Sequence, residues 1–177
     1  MPNPTLQNAI LKQASIFDIK TIKQISEKTF FETFAHFNTK ENIDNYLADN
    51  FNNEKLTSEL NTINSFFYII IVDNDVAGYL KLNVLEAQTE KNHLHALEIE
   101  RIYILNKYHG KKLGKLLLNK AIEVAKKLSK SYIWLGVWEM NERAINFYKK
   151  NNFISIDKHI FKLGDDLQTD YIFKLMF

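Results

Sequence analysis

Two spacings of hydrophobic residues alternate along the chain, one typical of amphipathic helices and one typical of strands. Helical spacing and capping residues predict five helices, over Asp18–Phe34, Thr39–Phe51, Asn53–Asn61, Gly114–Leu128 and Asn141–Lys150. Short apolar or alternating runs predict seven strands, over Ile10–Ser15, Phe66–Val72, Val76–Asn83, Leu97–Ile104, Tyr132–Val137, Phe153–Lys162 and Tyr171–Phe177. This order indicates an α/β fold whose sheet carries helices on both faces.

The composition is that of a soluble globular protein. Of its 177 residues, 46% are hydrophobic and 25% are charged, which suits one domain over residues 1–177. A net charge of +2 gives no reason to expect nucleic acid or a membrane as partner. The longest apolar run, Phe66–Val72, is far shorter than the roughly 20 residues of a membrane helix. Met1–Pro4 lacks the pattern of a signal peptide, so we expect a cytoplasmic protein.

Metal and thiol chemistry find little support in the sequence. The chain contains no cysteine, which excludes disulfides, thiolate metal sites and a cysteine nucleophile. His93 and His95 have no further metal ligands at a matching spacing, so we expect no metal site.

A loop with two glycines follows the predicted strand Leu97–Ile104 and leads directly into a helix. The free N–H groups of a first helical turn point in one direction and carry partial positive charge, which favours an anion. The loop and first turn, which we call the phosphate loop, contain three lysines. They consist of His109, Gly110, Lys111, Lys112, Leu113, Gly114 and Lys115. This pattern predicts a site for a polyanionic cofactor; the alternative is a tight turn with solvated lysines.

A second motif lies near the predicted helix Asn141–Lys150. Asn141 is a candidate N-cap, and Ala144, Phe147, Tyr148 and Phe153 follow it at fixed spacings. Taken alone, the aromatic residues are explained by packing in the core or at its rim.

Together, the two motifs resemble the GNAT acetyltransferase superfamily. There the first loop follows the pattern Gln/Arg-x-x-Gly-x-Gly/Ala, and the second follows Asn-x-x-Ala-x-x-Phe-Tyr-x-x-x-Gly-Phe. The segments Thr29–Phe34, Leu97–Ile104, Trp134–Glu139 and Gly164–Asp170 are similar to the PaiA-type spermidine/spermine N-acetyltransferases. The resemblance implies a mixed, mostly antiparallel GNAT-like sheet with helices on both faces, and acetyl-CoA as cosubstrate.

Three positions depart from the family pattern. His109 replaces Gln or Arg, Lys112 replaces the central loop glycine, and Asn152 replaces the glycine before Phe153. If Lys112 needs a positive φ angle, a lysine there costs about 1 kcal/mol or more. Asn152 tolerates such a conformation better than most residues.

The resemblance also implies roles for individual residues. The backbone of Ile102, Tyr103 and Ile104 would hold the acetyl carbonyl and pantetheine, and the phosphate loop would hold the pyrophosphate. Asn141 and Tyr148 would belong to the same cofactor site, where Tyr148 would protonate the departing thiolate. Thr29 and Phe34 would lie in the wall of the acceptor site.

Glu98 and Glu100 are the candidates for amine binding and general base catalysis. Strict alternation along a strand would place both on one face together with Ile102 and Ile104. Two carboxylates there would attract a cationic amine, and one could accept its proton directly or through water. The sequence does not decide which of the two is the base; the alternative is a pair of exposed strand charges.

These observations predict an acetyl-CoA-dependent N-acetyltransferase, with a polyamine such as spermidine or spermine as the preferred acceptor and a homodimer as one possible assembly. Two alternatives stay open. One is a catalytically weak GNAT-fold regulatory protein, since the resemblance extends to negative regulation of sporulation or protease genes. The other is a GNAT enzyme that acts on another small amine or on a protein amine.

Overall fold

A computed structural model describes residues 8–163 and 166–177 of the chain. The described part contains seven strands, with the bounds β1 (Ala9–Gln13), β2 (Ser65–Val72), β3 (Asp75–Val84), β4 (Ala96–Ile104), β5 (Tyr132–Trp138), β6 (Ile154–Leu163) and β7 (Asp166–Met176). It contains five α-helices, with the bounds α1 (Ile19–Phe34), α2 (Lys40–Asn50), α3 (Asn53–Asn61), α4 (Leu113–Lys127) and α5 (Glu142–Lys150).

All seven described strands form one sheet in the order β1-β2-β3-β4-β5-β7-β6. The neighbouring strands are antiparallel except for β4 and β5, which are parallel. The predicted mixed, mostly antiparallel sheet is therefore confirmed. The largest error at an element boundary is in β7, which begins at Asp166 and not at Tyr171 because it pairs with β6 along nearly its whole length.

Helices cover both faces of the sheet, as predicted. Ser26 of α1 lies near Tyr79 of β3, whereas Lys120 of α4 lies 5.3 Å from the ring centroid of Tyr68. Because Tyr68 pairs with Leu80, the neighbour of Tyr79, these contacts lie on opposite faces. Within the described residues, no helix is long and apolar enough to cross a bilayer.

The helix N-termini follow from local side-chain chemistry. Thr39, Asn52 and Asn141 accept hydrogen bonds from backbone N–H groups in the first turns of α2, α3 and α5. Asp18 directly precedes α1, but its carboxylate accepts from the backbone N–H of Ser15 instead of capping α1. The predicted position of this helix start was correct, although the capping contact differs.

A β-bulge interrupts the alternation of side chains in β4. Ile99 pairs with Leu82 and Arg101 pairs with Lys81, so Glu100 is an extra residue in β4. The register places Glu98 beside Asn83, on the same face as Arg101 and Tyr103. The prediction that Ile102 and Ile104 share this face was wrong, because the bulge shifts the alternation by one residue and turns both isoleucines to the opposite face.

Candidate active site

The only parallel pair in the described sheet separates part-way along its length. β4 and β5 stay in register up to Glu98 and Trp134. Beyond these residues β4 continues to Ile104 and β5 to Trp138 without pairing to each other. Backbone N–H and C=O groups of both strands therefore face a gap, where an extended ligand can satisfy them.

A cavity of about 750 Å³ opens at this gap. Residues 99–103 of β4 and 136–138 of β5 line it, together with side chains from α1, α2 and α3. Asn141, Ala144 and Tyr148 from the beginning and body of α5 complete the lining near the gap. The volume lies within the range of small-molecule sites.

The phosphate loop fits an anion. Gly110 has a φ of 77° and Lys112 a φ of 60°, so two left-handed residues turn the chain from β4 into α4. Within the described residues, the backbone N–H groups of Lys112, Leu113 and Gly114 donate to no protein acceptor. These donors and the positive end of the α4 dipole suit the pyrophosphate of a coenzyme.

Lys112 replaces the central loop glycine of the family pattern, and this replacement affects the backbone conformation at one residue. It adopts the left-handed conformation that the family's glycine would adopt readily. Its own conformation is strained, but the loop keeps its shape and its backbone donors.

The other lysines of the loop have separate contacts. The Lys111 Nζ lies 5.0 Å from the ring centroid of Tyr108, and the Lys115 ammonium donates to the side-chain oxygen of Asn151. Leu113 is buried in the core beneath the loop. A Cβ at Gly114 would lie 3.7 Å from the Phe147 ring, so α5 packs close to the first turn of α4.

His109 holds a cation beside the phosphate loop. Its Nε2 lies 2.8 Å from the carbonyl oxygen of Ile104, which can only accept, so Nε2 carries the proton. The Nδ1 lone pair then accepts from the guanidinium of Arg143. Burial and the charge of Arg143 lower the pKa of His109, so the ring stays neutral and Arg143 carries the charge.

Tyr148 occupies the side of the cavity near the gap. Its ring is 6% exposed and packs against Phe153 and Phe173, with ring centroids 5.4 Å and 6.1 Å away. Burial raises the pKa of Tyr148 and keeps its hydroxyl protonated at neutral pH. The hydroxyl hydrogen-bonds to no described residue, so its proton is available to a ligand.

Glu98 lies in the cavity wall with its carboxylate held on two sides. One oxygen accepts from the side chain of Asn83 at 3.0 Å and from the backbone N–H of Thr89 at 2.9 Å, and the other contacts the Thr89 hydroxyl. Burial raises the pKa of Glu98, although these hydrogen bonds oppose the shift.

Glu100 belongs to a buried network of ion pairs. Its carboxylate lies 2.6 Å from the ammonium of Lys81 and 3.0 Å from the guanidinium of Arg101. Glu59 of α3 closes the network, 3.0 Å from Lys81 and 2.8 Å from Arg101. Burial tends to raise the pKa of Glu100, but the charges of Arg101 and Lys81 outweigh it and lower the pKa. Two cations thus neutralise this carboxylate.

Aromatic side chains form the remaining wall. Phe34 lines the cavity, and its ring centroid lies 5.6 Å from that of Trp138. Phe30 stacks on Tyr46 at 4.1 Å between centroids, and both also line the cavity. Thr29 is not among the lining residues, because its hydroxyl is buried in α1 and donates to the Ile25 carbonyl at 2.7 Å.

Sequence reasoning missed Glu59, Lys81 and Arg101 as site residues. One signal was available: Lys81 interrupts the largely apolar strand β3, yet its side chain is 6% exposed, so it needed a buried partner. Glu59 lies in a helix more than 20 residues away, and no local pattern connects it with Lys81. No set of three or more potential metal ligands clusters anywhere in the described ranges.

Comparisons with known proteins agree with this geometry. Residues 20–153 match the model of the acetyltransferase (GNAT) family. An uncharacterized N-acetyltransferase in the pepI 3′ region of Lactobacillus delbrueckii subsp. lactis is 44% identical over 162 residues, 92% of this chain and 94% of the relative. The spermidine N(1)-acetyltransferase of Thermoplasma acidophilum is 25% identical over 147 residues, 81% of this chain and 86% of that protein.

A solved structure supports the same fold. The PaiA N-acetyltransferase of Thermoplasma acidophilum, crystallised in complex with coenzyme A, superposes with a TM-score of 0.81 at 23% identity, over 97% of this chain and 100% of that one. The matched family model, the split sheet and the phosphate loop agree on one assignment. The chain therefore belongs to the GNAT acetyltransferase family and is an acetyl-CoA-dependent N-acetyltransferase.

Proposed function

We propose that the protein transfers the acetyl group of acetyl-CoA to a primary amine of a polyamine such as spermidine or spermine, by direct attack in a ternary complex. The observation that carries this proposal is the charge of the cavity. Five carboxyl groups and three Lys or Arg side chains are among its described lining residues, so the cavity favours a cation. The Thermoplasma relative with spermidine N(1)-acetyltransferase activity supports the same class of acceptor.

The donor site consists of the gap and the phosphate loop. In this proposal the backbone of Ile102, Tyr103 and Ile104 holds the acetyl and pantetheine part, with Asn141 on the opposite side. The loop from His109 to Lys115 holds the pyrophosphate on its free N–H groups. Acetyl-CoA supplies a thioester carbonyl that an uncharged amine can attack.

Tyr148 is the proposed general acid. As the C–N bond forms and the C–S bond breaks, the sulfur leaves as a thiolate that needs a proton. The buried hydroxyl of Tyr148 retains its proton at neutral pH and faces the cavity beside the gap. Proton transfer from Tyr148 would make the sulfur a better leaving group and release CoA as the thiol.

Glu98 is the more suitable base of the two carboxylates. An ammonium group has a pKa of about 10 and must lose a proton before it can attack. Because the pKa of Glu98 is raised and that of Glu100 is lowered, Glu98 accepts a proton more readily, directly or through water. Glu100 would instead keep Lys81 and Arg101 in place and stay ionised.

The acceptor would lie against the aromatic wall that includes Phe34. A polyamine alternates charged nitrogens with apolar methylene chains, and this wall offers apolar contact to the chains. Thr29 would support the wall from within α1, since its side chain does not face the cavity.

An acceptor screen tests the proposal. Purified protein is mixed with acetyl-CoA and spermidine, spermine, a short monoamine or a peptide with a free N-terminus, and the released CoA is measured with a thiol reagent. Because the chain has no cysteine, the protein adds no thiol background. We expect the highest kcat/KM for spermidine or spermine.

Other results of the screen would reject the polyamine assignment. Preferred turnover of the peptide or the monoamine would assign another acceptor. CoA binding without turnover of any amine would favour the regulatory reading of the fold.

A further inference from the structure

Most carboxyl groups of the cavity already have protein partners. Glu59 and Glu100 are paired with Lys81 and Arg101, and Glu98 accepts from Asn83 and Thr89. The remaining two lining carboxyl groups are Glu86 and Asp170. Glu86 accepts from the side chain of Asn64 at 3.3 Å and lies at the exposed rim.

Asp170 differs from the others because its carboxylate accepts no hydrogen bond from any described residue. Its side chain is 17% exposed, and Oδ1 is buried without a hydrogen-bond partner in the described part of the chain. Asp170 pairs with Trp138 across β5 and β7. Its Oδ2 lies over Gly136, where an added Cβ would be 3.4 Å away, so the glycine leaves this carboxylate room beside the gap.

His159 approaches Asp170 but does not satisfy it. The His159 Nε2 is 4.0 Å from Oδ2 of Asp170, beyond hydrogen-bond distance. The other ring nitrogen, Nδ1, lies 2.9 Å from the carboxylate of Glu90, which makes Nδ1 the donor. A neutral His159 therefore has no proton to give to Asp170. When the ring is protonated, its positive charge is paired with the carboxylate of Glu90 as well as lying near Asp170.

A buried carboxylate without a counterion is unfavourable. Burial raises the pKa of Asp170, the charge of His159 opposes this shift, and the charge of Glu139 adds to it. A cationic ligand would remove the penalty and form a charge-assisted hydrogen bond. The nearby Trp138 ring, flanked by Phe34, offers a further favourable surface to a cation.

We propose that Asp170 is the specificity-determining residue that binds an ammonium group of the acceptor. This inference rests on the proposed function and assigns its charge recognition to β7 instead of Glu98 and Glu100. Asp170 is the last residue of the segment Gly164–Asp170, of which Gly164 and Asp165 lie outside the described residues.

Substitution of Asp170 tests this role. In Asp170→Asn the side chain keeps nearly the same shape and loses its charge, and we expect the KM for spermidine to rise about 10-fold or more. The variant should keep the wild-type affinity for CoA, measured by calorimetry, and a wild-type melting temperature. Asp170→Glu should recover part of the loss. Asp157→Asn, which removes an exposed carboxylate from β6, is the matched control and should leave the KM unchanged.

The salt dependence separates charge recognition from a structural effect. The wild-type KM for spermidine should rise with ionic strength, and this slope should be smaller in Asp170→Asn. A wild-type KM and slope in Asp170→Asn would overturn the inference, as would equal losses of spermidine and CoA affinity. If Asp170→Asn does not fold, a KM for Asp170→Glu equal to that of the wild type would overturn it.

A failure of the proposed polyamine function can be distinguished from a failure of the role proposed for Asp170. If the wild-type protein turns over no polyamine, direct spermidine binding to the CoA-loaded protein replaces the KM. Binding that is lost in Asp170→Asn supports the inference, and equal binding in both proteins overturns it.

Discussion

The guanidinium of Arg143, a residue of α5, donates to the Nδ1 of His109 and so places a positive charge beside the phosphate loop. No carboxylate forms an ion pair with Arg143 in the part of the chain described. His109 stands where the family pattern has Gln or Arg, and the neutral imidazole cannot itself supply the charge of an arginine. We expect the charge of Arg143 to take the place of the arginine that the family pattern has at position 109.

Removing the charge of Arg143 should weaken coenzyme binding. Because the group is solvent-exposed, we expect Arg143→Gln to raise the dissociation constant for CoA only about 2- to 5-fold. Titration calorimetry at low and moderate salt measures this change. Lys149→Gln removes a charge from the same helix without contact to His109, and equal effects of the two variants would contradict a specific role.

Lys112→Gly should stabilise the protein. A lysine in the left-handed conformation costs roughly 1–2 kcal/mol, and glycine removes this cost. Glycine also has more conformational entropy in the unfolded chain, which offsets part of the stabilisation. We therefore expect the free energy of unfolding to rise by up to about 1 kcal/mol in urea titrations. Lys111→Gly, at a neighbouring position without a positive φ, should be neutral or destabilising. A less stable Lys112→Gly protein would argue against strain at this residue.

Two substitutions of Gly114 distinguish the effect of added side-chain volume from the effect of added negative charge on CoA binding. An added Cβ meets only the Phe147 ring at ordinary contact distance, so Gly114→Ala should fold and gain up to about 1 kcal/mol of helix stability. Gly114→Glu should also fold but lose CoA affinity, since its carboxylate would stand beside the phosphates. Calorimetric titration of both variants is the test, and unchanged CoA affinity in Gly114→Glu would reject the phosphate site.

Tyr148→Phe keeps the aromatic ring and removes the proton. Because packing against Phe153 and Phe173 is preserved, we expect a wild-type melting temperature and little change in CoA affinity. Turnover should fall by ~10²-fold, the usual scale for a lost general acid. Near-wild-type turnover would leave Tyr148 a packing residue.

Glu98→Gln and Glu100→Gln should fail in different ways. The base must be deprotonated, so wild-type turnover should rise with pH through the pKa of Glu98, above the ordinary value of 4.5. Glu98→Gln should lose this limb of the pH-rate profile together with most turnover. Glu100→Gln should keep the rise of turnover with pH. Its free energy of unfolding should fall by about 3 kcal/mol, because Lys81 and Arg101 lose a buried partner. The reverse pattern would make Glu100 the base.

Local signals were sufficient for the elements and the loop, but not for the cavity. The cap at Asn141 depends on neighbouring residues, and the sequence indicates it correctly. The left-handed conformation of Lys112 is also a local property, although the family pattern raises it only as a condition. The bulge at Glu100 depends on the register between two strands, which no periodicity reveals. The pairing of Lys81 with Glu59 depends on how α3 packs against the sheet, so the neutralised state of Glu100 could not be foreseen.

The extra residue in β4 offers an evolutionary route to a new acceptor. Glu100 is the unpaired residue of the bulge, so its deletion would leave Glu98, Arg101 and Tyr103 on the faces they now occupy. The cavity would lose one negative charge, and Lys81 and Arg101 would share Glu59 as their only carboxylate among the described residues. A single in-frame codon loss would thus shift the preference of the enzyme towards less cationic acceptors and keep the strand register, at the cost in stability expected for Glu100→Gln.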